Sequence, residues 1–359
     1  MGLFEISVPA WPRARRISGV ILRSPGRSGG VLRKGVVVCN FPQIVKSRIP
    51  GLSDFFWIVQ RRGWNGFVVS RAADIQIVED QPAQRNWNRL ARLLDAARRW
   101  TPWRGTTRLP APLAFGNGDF VDTAAFAPDG RPKTYDAIMT ARWERFKHHG
   151  LMVDAFRILK RQGAAVRGLM FGHIPNIHDR SAILYKKRIV ETIRRENLPI
   201  DLPAGDAANN EGLDQAKSSM AAWINASRVG LLLSRSEGIN RFKMECLSSD
   251  VPMLICDDAC WSVRRHIGPQ TGIVVARRAD AVAKAILRVR DGAKFSPRAY
   301  VLANTGIDRA MAALQSAVDE LDAKMGLKPA PIARYDGRNN TLLWSGFIDF
   351  LSAEVAKNA

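Results

Sequence analysis

The chain has 359 residues, 46% hydrophobic and 24% charged, the proportions of a globular protein rather than a disordered one, and enough length for two domains. Its net charge is +21, from 54 Lys and Arg against 33 Asp and Glu, which favours anionic partners: nucleic acid, anionic lipid headgroups or pyrophosphate-bearing substrates. No stretch offers the ~18 uninterrupted apolar residues of a membrane-spanning helix.

The start, MGLFEISVPAWPRARR, lacks the apolar core of a secretory signal, so a cytosolic setting is expected. Cys39, Cys246, Cys256 and Cys260 have no zinc-finger spacing and read as reduced, structural thiols. The charge is uneven. Residues 1–110 carry 19 Lys and Arg against 6 Asp and Glu, and each cation near an anionic bilayer contributes about 1 kcal/mol of attraction.

In chain order, residues 1–35 are expected to be weakly structured, with Pro9, Pro12, Pro25 and five glycines between Gly19 and Gly35. GVVVCNF (Gly35–Phe41) reads as a buried strand. A helix is expected over Leu52–Arg62, then strands at Gly66–Ser70 and Asp74–Asp80. Asn86–Trp100 places Leu90, Leu93, Leu94 and Ala97 on one side and arginines on the other, an amphipathic helix. Thr101–Pro132 has no periodicity and five prolines, which is linker chemistry.

Beyond it the pattern becomes regular. Strands are expected at Tyr135–Ala141, Val166–Gly172, Val229–Ser234, Pro252–Cys256 and Gly272–Ala276. Between and after them, helices are expected at Gly150–Gln162, Ala182–Glu196, Gln215–Ala226, Arg241–Ser249 and Ala279–Val289, and the last ones at Ile307–Lys324 and Asn340–Val355. Such alternation implies right-handed βαβ units around a parallel sheet covered on both faces. Ligands of these sheets bind beyond the carboxyl ends of the strands, near helix N-termini. The polar turns after Ala141 and after Leu233 are therefore the places to look for chemistry.

Four segments in order carry a resemblance. FGNGDFVDTAAFAPD (Phe115–Asp129) resembles a P-N-G-V-D-x-x-x-F-x-P linker. YDAIMTARWERFKHHGLMVDAFRILKRQG resembles a strand and helix bearing G-R-x-x-x-x-K-G, which matches Arg142 and Lys147. VGLLLSRSEGINRFKMECLSSDVPML matches an E-x7-E box with Glu237 and Glu245 as its acids, and TGIVVARRADAVAKAI resembles the closing T-G-x-L-V…A-x-A-I segment. Together these are similar to glycosyltransferase family 4 and its relatives (glycosyl transferases group 1), retaining enzymes of the GT-B fold.

The resemblance implies an α/β protein with two Rossmann-like domains facing a cleft, the N-terminal one reduced. The expected parts are a basic acceptor-side domain (1–115), a linker (116–134), a donor domain (135–330) and a C-terminal helical segment (331–359). It implies a metal-independent, hexosyltransferase-type enzyme that needs no cofactor. Such an enzyme moves a sugar with retention from a UDP- or GDP-sugar to a glycan or lipid-linked acceptor, in cell-surface polysaccharide synthesis. Arg142 and Lys147 would neutralise the leaving diphosphate. Glu237 would sit beside the sugar as the catalytic group, Gly238, Ile239, Asn240 and Arg241 would line the donor, and Glu245 would accept from the ribose hydroxyls. A cytoplasmic location follows, peripheral at the inner membrane face, with an anionic membrane surface as a further partner and no nucleic acid expected.

Two alternatives stand beside this. One is a catalytically degenerate nucleotide-sugar binder. No histidine precedes His148, the Ser28-Gly29-Gly30 turn runs into basic residues, and Asn240, Arg241 and Lys243 stand where small or apolar residues are common. The other is a basic nucleic-acid-binding α/β protein, for which the chain offers no recognised module.

Overall fold

The computed structural model describes residues 3–7, 16–39, 55–60, 75–77, 112–113, 117–174, 179–203, 217–235, 237, 240–259 and 261–335. The chain separates into two compact units, Met1–Phe120 with Ile307–Ala359, and Val121–Gly306.

The first unit holds a six-stranded mixed sheet in the order β1-β2-β5-β6-β7-β8. Its strands are β1 (Leu3–Ser7), β2 (Arg16–Arg23), β5 (Gly35–Cys39), β6 (Phe55–Gln60), β7 (Ile75–Ile77) and β8 (Pro112–Leu113), and a small ribbon pairs β3 (Gly26–Ser28) with β4 (Val31–Arg33). β2 runs antiparallel to both β1 and β5, while β5 through β8 are parallel. Two expectations are corrected here. Residues 1–35 are not weakly structured throughout, because Leu3–Ser7 pairs with Arg16–Val20 residue for residue. Leu52–Arg62 is not a helix: the β-branched and aromatic run FFWIVQ forms β6 beside β5. The expected strand at Gly66–Ser70 and helices at Asn86–Trp100 and Asn340–Val355 lie outside the described residues.

Leu22 and Val36 from the sheet, Phe120, Tyr335, and Ala310, Leu314 and Val318 of the long helix Ile307–Lys324 make this unit's core. Asp322 on that helix is fully buried. Arg23 forks onto its two carboxylate oxygens at 2.8 Å each and donates its remaining hydrogens to the carbonyls of Lys34 and Ala330. Arg33 adds a contact at 3.3 Å.

The second unit is a six-stranded, wholly parallel sheet in the order β11-β10-β9-β12-β13-β14. The strands are β9 (Ala137–Thr140), β10 (Gly168–Phe171), β11 (Ile200–Asp201), β12 (Gly230–Leu232), β13 (Met253–Cys256) and β14 (Gly272–Val275). Within this unit the order reads 3-2-1-4-5-6, that of a dinucleotide-binding Rossmann sheet. β10 and β13 are buried at every position, as a doubly covered parallel sheet requires.

Side-chain alternation divides the core. Met139, Met170, Leu231 and Leu254 pack with α1 (His149–Arg161), α2 (Arg180–Arg195) and α6 (Ala279–Arg290). Ile138, Leu169, Leu232 and Ile255 face the other way, toward α3 (Lys217–Asn225), α4 (Arg241–Ser248), α5 (Trp261–Arg264) and α7 (Pro297–Asn304). The helices α5 and α7 were not anticipated. One is a single turn, and the other is announced only by Pro297 at its start.

Candidate functional site

In a sheet of this order the chain reverses direction between the first and fourth strands, and the helices that leave those strands diverge to opposite faces. A crevice opens there at the carboxyl ends. The two strands are β9 and β12, hydrogen-bonded neighbours with Ile138 opposite Gly230.

After β9 the chain passes Arg142 and Trp143 and makes a 3-10 turn, Arg145–Lys147. His148 then takes a left-handed conformation (φ 58°, ψ 40°), and α1 begins at His149. Trp143 anchors this segment. Its indole nitrogen donates to the Gly172 carbonyl at 3.0 Å, and its ring stacks on His149 with centroids 4.5 Å apart. Gly172 must be glycine, because a Cβ there would lie 1.6 Å from the Ala141 carbonyl oxygen. His149 is fully buried and burial drives its pKa down to about 3. It is a neutral aromatic slab, not an acid or base at neutral pH.

After β12 the loop carries Ser234 and Glu237. The Lys147 ammonium donates to Glu237 Oε1, across 90 residues of sequence, and Ser234 Oγ donates to the same oxygen at 2.7 Å. The lysine and glutamate side chains are only 6% and 12% exposed, so the pair is largely shielded from water. Burial lowers the Lys147 pKa and the Glu237 charge opposes that shift. Arg142 is half-exposed and paired with Glu144, Nε to Oε2 3.1 Å, close enough for both charges to act on Lys147.

The other expected residues are placed as follows. Asn240 is the N-cap of α4, its side-chain oxygen accepting from the Lys243 amide at 3.0 Å. Arg241 opens that helix. Glu245 lies one turn on, where burial pushes its carboxyl up to about 7 against the opposing charge of Arg241. Gly238 and Ile239 lie outside the described residues. The structure thus brings Lys147 and Glu237 into contact, sets Arg142 within electrostatic reach, and gives Asn240 a capping role.

Lys243, unusual for its position in the sequence, is fully buried and donates to the carbonyls of Arg265 and Val263 at 2.9 and 3.2 Å. It ties α4 to the end of α5. Sequence reasoning missed Ser234, Asp258 and Arg277. Their signal was position: each follows an apolar strand at the carboxyl edge. Among the described residues, no group of three or more His, Cys, Asp or Glu side chains gathers as a metal site.

This is an α/β architecture of the GT-B glycosyltransferase type. No described protein family matches the sequence, and no curated protein is significantly similar to it. Its fold is shared by a solved structure. Anabaena HepE in complex with UDP superposes with a TM-score of 0.51 at 14% identity, over 75% of this chain and 72% of that one. The sucrose-phosphate synthase of Thermosynechococcus elongatus gives 0.49 at 19% identity, over 76% and 68%. HepE crystallised with UDP and glucose gives 0.48 at 11% identity, and there the match covers 71% of this chain and 63% of that one.

Proposed function

We propose that the protein is a glycosyltransferase that binds a nucleoside-diphosphate sugar at the β9/β12 crevice and transfers the sugar with retention, without a metal. The observation that carries the reading is the meeting of Lys147 and Glu237 at the sheet's switch point. A diphosphate leaving group develops negative charge as the glycosidic bond breaks. Lys147, Arg142 and the N-terminus of α1, which starts two residues after Lys147, would stabilise it. Glu237 would then exchange its bond to the ammonium for the donor sugar's hydroxyls and the developing oxocarbenium ion. Glu245 would accept from the ribose hydroxyls in its ionised form.

Support comes from the strand order, from the charges at that one edge, and from the fold shared with HepE, which was crystallised with UDP. The acceptor in this reading is a glycan or a lipid-linked sugar in cell-surface polysaccharide assembly. The basic residues 1–110 suit a lipid-pyrophosphate acceptor at an anionic, cytoplasmic membrane face. Among the described residues, no helix is long and apolar enough to cross a membrane.

The test is thermal protection by UDP, GDP, UDP-glucose and GDP-mannose, followed by donor hydrolysis on the wild type and Glu237→Gln. A nucleotide at a hundredfold excess over its dissociation constant adds about 2.7 kcal/mol. Protection with hydrolysis that Glu237→Gln abolishes is the expected result. Protection without turnover on any acceptor tried would favour a binding protein, and no protection by any of the four would overturn the reading.

A further inference from the structure

Three loops end at the carboxyl edge beside the Lys147–Glu237 pair, and one arginine joins them. Arg277 follows β14, Asp258 follows β13, and Leu233 follows β12. Arg277 Nε donates to both Asp258 oxygens, at 2.8 and 2.9 Å, and its Nη1 donates to the Leu233 carbonyl. Asp258 in turn accepts from Arg235 Nε at 3.0 Å. Hydrogen bonding to Arg277 holds the Asp258 carboxyl below the usual carboxylate range.

The Arg277 side chain is 12% exposed, whereas that of Arg235 is 66% exposed. The less exposed Arg277 is the inner member of the group and Arg235 its outer end. His148, the residue after Lys147, lies within reach: after burial, the charges of Arg277 and Arg235 are what depress its pKa most. The cluster therefore borders the crevice and is not a distant surface network.

The bonds fall at the root of the loop that carries Glu237. Leu233 is the last apolar residue before Ser234, and Arg235 lies between Ser234 and Glu237. A loop released from a strand end has several conformations, and only some put a carboxylate four residues past Leu233 against Lys147. Holding the Leu233 carbonyl and the Arg235 guanidinium at once restricts that choice. We infer that Arg277, acting through Leu233 and Asp258, is the positioning residue for Glu237: a brace across three strand ends that sets the Glu237-bearing loop in place before any ligand arrives. A planar fork can hold a carboxylate and a carbonyl together, which a lysine ammonium on a flexible stem does poorly. The kinetic consequence rests on the donor-site reading above, while the structural consequence rests on the hydrogen bonds alone.

The test uses the full chain with Arg277→Ala, Arg277→Lys, Asp258→Asn and, as a control, Arg278→Ala, whose exposed side chain pairs with Asp280. Amide hydrogen exchange needs no ligand. Arg277→Ala is expected to speed exchange of peptides spanning 233–240 about tenfold while β10 and α6 keep wild-type protection, as local opening predicts. Arg277→Lys should fall between, and Arg278→Ala should match the wild type.

With UDP-glucose, and GDP-mannose in parallel, donor hydrolysis should drop about tenfold in Arg277→Ala while UDP or GDP affinity stays within about threefold, the split expected when alignment rather than binding is lost. Unchanged loop exchange would overturn the inference. So would a rise spread evenly over the unit, or affinity and hydrolysis falling together. Should Arg277→Ala fail to fold, Arg277→Lys and Asp258→Asn carry the same comparison. If the wild type ignores every nucleotide, the donor-site reading falls and the exchange result still decides the brace.

Discussion

Two nearly buried ion pairs, one in each unit, are built on opposite principles. In the first unit Arg23 gives all five of its hydrogens away, two to Asp322 and three to the carbonyls of Lys34 and Ala330. In the second, Lys147 meets Glu237 through one oxygen that it shares with Ser234. The forked pair locks helix Ile307–Lys324 to the strands beneath it and has no donor to spare. The single-point pair sits at the strand ends, where, in the proposed function, a polyanionic ligand takes the carboxylate's place as partner. Geometry, more than burial, separates a clasp from a site.

The contrast can be broken most directly at Asp322. Asp322→Ala leaves a buried guanidinium without its counter-charge and is expected to cost about 3–5 kcal/mol in chemical denaturation. A loss below about 1 kcal/mol would mean that the clasp carries little. Glu237→Ala should cost about 2–4 kcal/mol for the same reason. The double variant Lys147→Met with Glu237→Leu should return to near wild-type stability yet lose all nucleotide protection. If that pair of changes unfolds the protein, the Lys147 contact is structural and the distinction fails.

Glu245 sharpens the comparison through pH. Its folded carboxyl titrates near 7 against an ordinary 4.5, so between those values the native state holds more protons than the unfolded one. Stability therefore falls as pH rises through that window. Glu245→Gln should flatten that part of the profile and exceed wild-type stability by about 3 kcal/mol at pH 8. Nucleotide affinity should behave oppositely, strengthening in the wild type as pH passes 7 and staying weak and flat in Glu245→Gln. The smallest effect is expected from Asn240→Ala. It removes only the α4 cap and should cost about 1 kcal/mol by thermal melting.

Much of the second unit was legible because its strands are short apolar runs bounded by polar turns, and β10, β12 and β13 are buried along their whole length. Their spatial order was not. Order depends on which helix crosses to which face, and nothing local in the sequence records that. The first unit was harder. FFWIVQ has apolar residues at spacings that suit a helix or a buried strand, and its pairing with Gly35–Cys39 decided the matter. At the site, Lys147 and Glu237 were picked out by resemblance, but their contact spans 90 residues and needed the fold. Lys243 read as a departure from a binding motif and proved to be a buried tether between two helices, since a lysine can reach carbonyls its own helix does not supply.

The left-handed His148 has one more effect. In an unbroken α-helix, residues two apart are turned by about 200° around the axis, so aiming Lys147 would dictate where His149 points. A single residue of opposite hand between the 3-10 turn and α1 cancels that obligation. The ammonium can be directed at the crevice while His149, Met152 and Phe156 keep their registration with the core. A substitution that forced His148 back to right-handed geometry would thus misdirect Lys147 by rephasing the helix, with every side chain that touches the crevice still present.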